Sequence, residues 1–235
     1  MQGIIPLFSE ITRIEFFNLK WLINIPSEIL LPSHTARRIL FILIVILFIN
    51  FDFFLVTAGY FLLQILYTFG LKRIALVDIF IIAGGFVLRA LAGAVAIKVE
   101  ISPWLLLCTL LLSLFLALCK RRHELVVVAD GGGETRASLR QYSEKVLDQL
   151  IAMMGGTTIV CYALYTLSAE TVAKFGTAKL GFTIPFVIFG VARYLDNVYR
   201  KDLGGRPEQI LLTDRILLVD IALYALTVAA IFLCR

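Results

Sequence analysis

The chain has 235 residues, 60% of them hydrophobic and 17% charged, and its mean hydropathy is +0.92. A water-soluble globular domain is about half apolar and about a quarter charged, so the composition excludes an ordinary soluble fold and points to an all-α, polytopic transmembrane helical bundle. The net charge of +5 fits Lys and Arg gathered at cytoplasmic edges, and no basic patch interleaved with aromatics speaks for nucleic acid.

In chain order, residues 1–38 form a divergent N-terminal segment ahead of a membrane domain over 39–235. The opening "MQGIIPLFSEITRIEFFNLKW" lacks the basic start, apolar centre and small-residue cleavage site of a signal peptide, so insertion is expected to rely on internal spans. Seven spans are predicted, at about 39–50, 53–70, 74–97, 102–119, 148–167, 180–197 and 213–233, from runs suited to a hydrocarbon core roughly 30 Å thick. The first is short. Connections are brief except 120–147 and 198–212. Cys108, Cys119, Cys161 and Cys234 sit in or beside apolar runs without paired spacing, which favours small buried hydrophobes over metal ligands or disulfides.

Seven spans lay the cations out unevenly. One side collects Arg37, Arg38, Lys72, Arg73, Lys120, Arg121, Arg122, Arg136, Arg140, Lys145, Arg200, Lys201 and Arg206, and the other only Lys98, Lys174, Lys179 and Arg235. Translocated loops are poor in Lys and Arg, so the first side is expected to face the cytoplasm, at the inner membrane.

The ionisable residues of the spans collect on that side. Asp78 begins the third span, Asp148 the fifth, Arg193 and Asp196 close the sixth, and Asp214 with Arg215 opens the seventh. Intramembrane charges are costly and usually face a bundle interior or a water-filled cavity. Arg89 lies deeper, eleven residues past Asp78 and on the same helix face, where it is either a buried structural partner of Asp78 or an interior cation near a phosphate. Anionic phosphates call for Arg forks, Lys point charges and a divalent ion, and Mg²⁺ favours carboxylate oxygens and substrate phosphates. A mixed-charge basin between greasy helices suits an amphiphile with its phosphate in the basin and its hydrocarbon in lipid. "VVVADGGGE" has no phosphate-loop spacing, and His123 lacks a second His or Cys at zinc-ligand spacing.

The stretch "YFLLQILYTFGLKRIALVDIFIIAGGFVLRALAGAVAIKVEISPWLLLCTLLLSLFLALCKRRHEL", continued by "RQYSEKVLDQLIA", "YALYTLS" and "VARYLDNVYRKDLGGRPEQILLTDRILL", closely resembles the polyprenyl-phosphate phosphoribosyltransferase branch of the UbiA prenyltransferase superfamily. The resemblance covers roughly residues 50–233. It implies a nine-helix membrane enzyme that moves phosphoribose from phosphoribosyl diphosphate to a polyprenyl (decaprenyl) phosphate. Mg²⁺ assists and diphosphate is released, in the synthesis of cell-wall or glycolipid precursors. It also implies that Tyr67 and Lys72 match a Tyr…Lys motif and that Lys120, Arg121 and Glu124 match a basic–acidic motif. In that reading Asp78, Glu124 and Asp148 are the catalytic candidates, with Glu124 and Asp148 as metal ligands. Tyr67, Lys72, Arg73, Arg89, Lys120, Arg121, Tyr142, Arg193 and Asp214 bind substrate, and Lys120 and Arg121 hold the sugar-borne phosphates. A homo-oligomer is left open.

The chain departs from the branch at one point. The family's first motif, NDxxDxxxD followed by HPxKxxRP, is absent, and "NIPSE" (24–28) is a faint shadow of it. The expectation is a shortened form with about seven of nine helices, lacking the first two helices and most of the metal affinity. Two other functions stay open: prenyl transfer to an aromatic acceptor, and non-catalytic binding of a lipid phosphate.

Overall fold

In lipid, long apolar runs satisfy their backbone N–H and C=O groups only by coiling into helices or closing into a barrel. In the computed structural model, which describes residues 51–129, 139–201, 204–205 and 207–233, every regular element is helical. The helices are α1 (Phe51–Phe69), α2 (Val77–Ala96), α3 (Pro103–Ala129), α4 (Glu144–Leu167), α5 (Ala169–Phe175), α6 (Ile184–Lys201), α7 (Pro207–Thr213) and α8 (Arg215–Leu233). Short 3₁₀ turns cover Leu71–Arg73, Leu139–Gln141 and Lys179–Thr183. Five of the helices, α1, α2, α3, α4 and α8, are long and apolar enough to cross a membrane. This is a multi-pass membrane protein. The segment 1–38, the expected span 39–50, the glycine run 131–133 and Cys234 lie outside the described residues.

Each long helix packs chiefly on its neighbours in sequence, α1 on α2, α2 on α3 and α3 on α4, after which α6 joins α4 and α8 joins α6. Apolar side chains such as Leu62, Phe80, Val160 and Leu226 stay exposed on the outside, as a lipid solvent allows. The core is formed by Ile79 and Ala83 of α2, Phe115 and Leu118 of α3, Leu147 and Ile151 of α4, Val198 of α6 and Leu217 of α8. α3 and α4 approach closely because Gly155 has no side chain: a Cβ there would lie 3.2 Å from Phe115 Cε2. At the far end, Lys174 Nζ donates to the Glu100 carbonyl at 2.9 Å, which ties α5 to the α2–α3 connection.

One sequence expectation is corrected. α3 does not stop at 119 but runs to Ala129, so "KRRHE" lies on a helix rather than in a loop. At 1.5 Å per residue its 27 residues span about 40 Å, beyond a hydrocarbon core of about 30 Å, and the overhang carries the charges. The expected span 180–197 falls in the 179–200 segment, which with α5 forms a pair bent by 102° that counts as a sixth span if the two are taken as one; the second half of α6 carries Arg193, Asp196, Arg200 and Lys201.

Candidate functional site: a charged knot at one end of the bundle

The C-terminal ends of α1, α3 and α6 and the N-terminal ends of α2, α4 and α8 share one end of the bundle, and the polar side chains gather there. At its centre Arg121, 2% exposed, donates from Nε to Asp78 Oδ2 at 2.7 Å and from Nη1 to Glu124 Oε2 at 2.6 Å. Asp78 is fully buried in the first turn of α2. Its other oxygen, Oδ1, accepts from the Tyr142 hydroxyl at 2.8 Å, and that hydroxyl accepts the Leu76 N–H at 2.6 Å. Burial pushes the Tyr142 hydroxyl well above its ordinary value; the Leu76 N–H opposes this and the Asp78 carboxylate reinforces it. Tyr142 therefore stays protonated and works as a donor.

This arrangement holds a strained turn. Leu76 has φ 65° and ψ −44°, and the Val77 N–H reaches the Ala75 carbonyl at 2.8 Å, a γ-turn geometry that a leucine adopts at a cost of about 1–3 kcal/mol. Gln141 Oε1 accepts the Ala75 N–H at 3.2 Å, and Gln141 Nε2 donates to the Arg73 carbonyl at 3.4 Å. The segment before α4 thus clamps the α1–α2 connection that carries Lys72 and Arg73.

A second group joins α3, α4 and α6. Arg122 Nε donates to Asp148 Oδ1 at 2.7 Å and Nη2 to Glu144 Oε1 at 3.1 Å, while the guanidinium lies 4.4 Å from the Tyr199 ring centroid. The Tyr199 hydroxyl completes the triangle by donating to Asp148 Oδ1 at 2.9 Å. Beneath the α6–α7 connection, the His123 ring lies so close to Gly205 that a Cβ there would come within 2.3 Å of it, which explains the glycine.

A third group locks α6 to α8. Asp214 precedes α8 and accepts the Ile216 and Leu217 N–H groups at 3.0 and 3.1 Å, as a helix cap does. The same carboxylate takes Arg193 Nη2 at 2.9 Å and Asn197 Nδ2 at 2.8 Å. Burial opposes its charge, but the bonds from Asn197, Arg193 and the Leu217 N–H outweigh that and hold the carboxyl well below the ordinary carboxylate range.

Of the residues singled out in the sequence, Asp78, Arg121, Glu124 and Tyr142 meet directly, Asp148 joins through Arg122, and Arg193 pairs with Asp214. Lys72, Arg73 and Lys120 are exposed at the same end and have no ion-pair partner among the described residues. Tyr67, half-buried in the last turn of α1, makes no hydrogen bond among them. Several of these side chains have partners of their own. Arg121, expected to hold a phosphate, is buried with Nε and Nη1 engaged by Asp78 and Glu124. Arg89 does not partner Asp78; it donates to the Tyr60 hydroxyl at 2.5 Å and lies over the Tyr60 and Phe86 rings, since eleven residues place it about 16 Å along the helix axis. Glu124 and Asp148 are each engaged by a different arginine, and among the described residues no three His, Cys, Asp or Glu side chains form a group that could hold a metal ion. The sequence presents Arg122 only as an orientation charge and marks neither Glu144, Tyr199 nor Asn197 as a site residue; the helical spacing of Arg193 and Asn197 is the one signal it carries.

The geometry defines a helical membrane protein whose polar face, at one membrane edge, leaves cations exposed over a braced interior. Residues 35–123 match the UbiA prenyltransferase family. The chain is 34% identical over 174 residues to a decaprenyl-phosphate phosphoribosyltransferase of Mycolicibacterium smegmatis, covering 69% of this chain and 53% of that protein. Proteins of the same name from Mycobacterium tuberculosis (34% over 178 residues; 75% of this chain, 57% of theirs) and Corynebacterium glutamicum (35% over 162; 68% and 48%) are similar too. Over residues 35–123 the chain is similar to the UbiA prenyltransferase family, and over 162 to 178 residues it is similar to these relatives. It spans about half the length of the relatives it matches.

Proposed function

We propose that this chain transfers phosphoribose from phosphoribosyl diphosphate to a polyprenyl phosphate of the decaprenyl class. One observation carries the reading: Lys72, Arg73 and Lys120 stand exposed and without carboxylate partners among the described residues, above a buried Asp78–Arg121 pair at the edge of an apolar bundle. The names of the relatives support it. An oxygen of the lipid phosphate attacks the anomeric carbon of the sugar, the bond from that carbon to the diphosphate oxygen breaks, and diphosphate leaves with the electron pair. The attacking oxygen is already anionic, so no general base is required. The exposed cations bind and offset the phosphate charge, the kind of electrostatic work that lowers such barriers.

In this reading Asp78, Arg121, Glu124 and Tyr142 are positioning residues that fix the α1–α2 connection and the overhang of α3. Arg122, Asp148 and Tyr199 fix α4 and α6 beside them, and Arg193 with Asp214 fixes α8. Tyr67 lines the approach from α1. The charged end faces the cytoplasm at the inner membrane, where a soluble sugar diphosphate and a membrane lipid meet.

The test is to supply membranes containing this chain with labelled phosphoribosyl diphosphate and polyprenyl phosphate, and in parallel with labelled prenyl diphosphate and an aromatic acceptor. Label from phosphoribosyl diphosphate is expected in the lipid fraction. Consumption of prenyl diphosphate alone would replace this reading with aromatic prenylation, and lipid-phosphate binding with no product from either donor would replace it with a non-catalytic role.

A further inference from the structure

Two acids on the first turns of α8 and just before it meet opposite fates. Asp214 is surrounded by Arg193, Asn197 and two backbone N–H groups. Asp220, six residues on, is 8% exposed yet has no hydrogen bond or ion pair among the described residues. Its Oδ2 lies against the bare backbone of Gly190 on α6, where a Cβ would come within 3.2 Å. A carboxyl group set into apolar surroundings without a partner is costly, and such groups in membrane helices mark sites by default.

Asp220 lines a cavity of about 280 Å³ between α3, α6 and α8. The walls are otherwise nearly all apolar, with Leu112, Phe115, Val187 and Ile221 among them. Tyr224, one turn after Asp220 on the same face, lines it as well. The Tyr224 hydroxyl is already bonded to Tyr162 at 3.1 Å, which is bonded in turn to Thr183 at 2.6 Å, and the Asp220 carboxyl is the one acid of this wall. The volume falls at the lower edge of small-molecule pockets, roughly 300–1,000 Å³, and suits one aliphatic chain rather than a fused-ring body.

We propose that this groove is a binding site for a single-chain aliphatic amine, its ammonium group paired with Asp220 and its chain laid along α3 and α6. Charge complementarity selects the amine: an ammonium supplies both the donors and the positive charge that the isolated carboxylate lacks, and an alcohol of the same length supplies one donor and no charge. The site is separate from the cations at the membrane edge. Lys72, Arg73 and Lys120 do not line it.

The test uses the whole chain in lipid nanodiscs, titrated calorimetrically with dodecylamine and with dodecanol against empty nanodiscs. Saturable binding of dodecylamine is expected, with dodecanol at least tenfold weaker. Asp220→Asn, which keeps size and shape, should weaken the amine at least tenfold and leave the alcohol unchanged. Val187→Phe, which fills the groove and spares Asp220, should weaken both, and it keeps the proposal falsifiable should Asp220→Asn fail to fold. Equal binding of amine and alcohol, an unchanged affinity in Asp220→Asn or in Val187→Phe, or mere partitioning without saturation would overturn it.

Discussion

Replacing Asp78 by alanine removes the carboxylate that accepts both the Arg121 guanidinium at 2.7 Å and the Tyr142 hydroxyl at 2.8 Å. Arg121 keeps Glu124 at 2.6 Å, but it is 2% exposed and water cannot take the place of the lost bond at Nε. A hydrogen bond to a charged group contributes about 1.5–3 kcal/mol, and breaking a buried pair from one side costs about 3–5 kcal/mol. We expect a loss of about 3–5 kcal/mol for Asp78→Ala, in the range where a marginally stable protein is seriously weakened. Removing both partners is different, because no fully buried charge is left unpaired: Glu124, which also loses Arg121, is 24% exposed and is solvated instead. Asp78→Ala combined with Arg121→Met should be no less stable than Asp78→Ala alone, a coupling of about 2–3 kcal/mol within the range seen for residues in direct contact. The assay is a double-mutant cycle on unfolding in mixed micelles. Single variants within about 1 kcal/mol of the parent, or effects that add within about 0.5 kcal/mol, would refute the reasoning that a buried ion pair braces this end.

Further expectations rest on the same contacts. Leu76→Gly relieves the positive φ and should cost little, stabilising by up to about 1 kcal/mol, whereas Leu76→Val should destabilise by about 1–3 kcal/mol; thermal midpoints of the two variants decide. Gly155→Val forces a side chain into Phe115 and should lower stability by about 1–3 kcal/mol through overpacking, read in the same assay. Because the folded-state value of Asp214 is depressed, its contribution is fully present above an unfolded value of about 4 and is lost as pH falls through the lower folded value. The midpoint should therefore lack an Asp214-dependent slope from about pH 5 upward, and the parent should begin to lose its advantage over Asp214→Asn only below about pH 4; a difference that changes between pH 6 and 8 would contradict this. The sign reverses for Tyr142, whose raised value makes its contribution complete below about pH 10 and lost only as pH rises further. Tyr142→Phe should remove that alkaline dependence.

Much of this molecule can be read before its structure is seen, and the limits are physical. Runs such as Val77–Ala96 and Arg215–Leu233 announce themselves because lipid tolerates little else, and the gathering of charge at alternate span ends follows from the same solvent. The end of α3 is hidden, because "KRRHELVVVA" looks like a connection by hydropathy although its residues continue the helix past the hydrocarbon. Pairing is hidden too. Nothing in the order of residues says that Arg121 turns inward to Asp78 while Arg122, a residue away and about 100° around the helix, turns to Asp148. Arg89 shows the converse limit: a shared helix face with Asp78 is real, but distance along the axis gives it to Tyr60. Asp220 carries no sequence signal beyond being an acid in an apolar run, and its significance lies in the partners it lacks.

The most direct test concerns the exposed cations. Phosphoribosyl diphosphate binding is measured by equilibrium titration on the purified chain and on variants with Lys72, Arg73 or Lys120 changed to alanine. Each single variant should bind at least about tenfold more weakly, about 1.4 kcal/mol, while its thermal midpoint stays with the parent because none of the three side chains is buried. Unchanged binding in a folded triple variant would contradict the account.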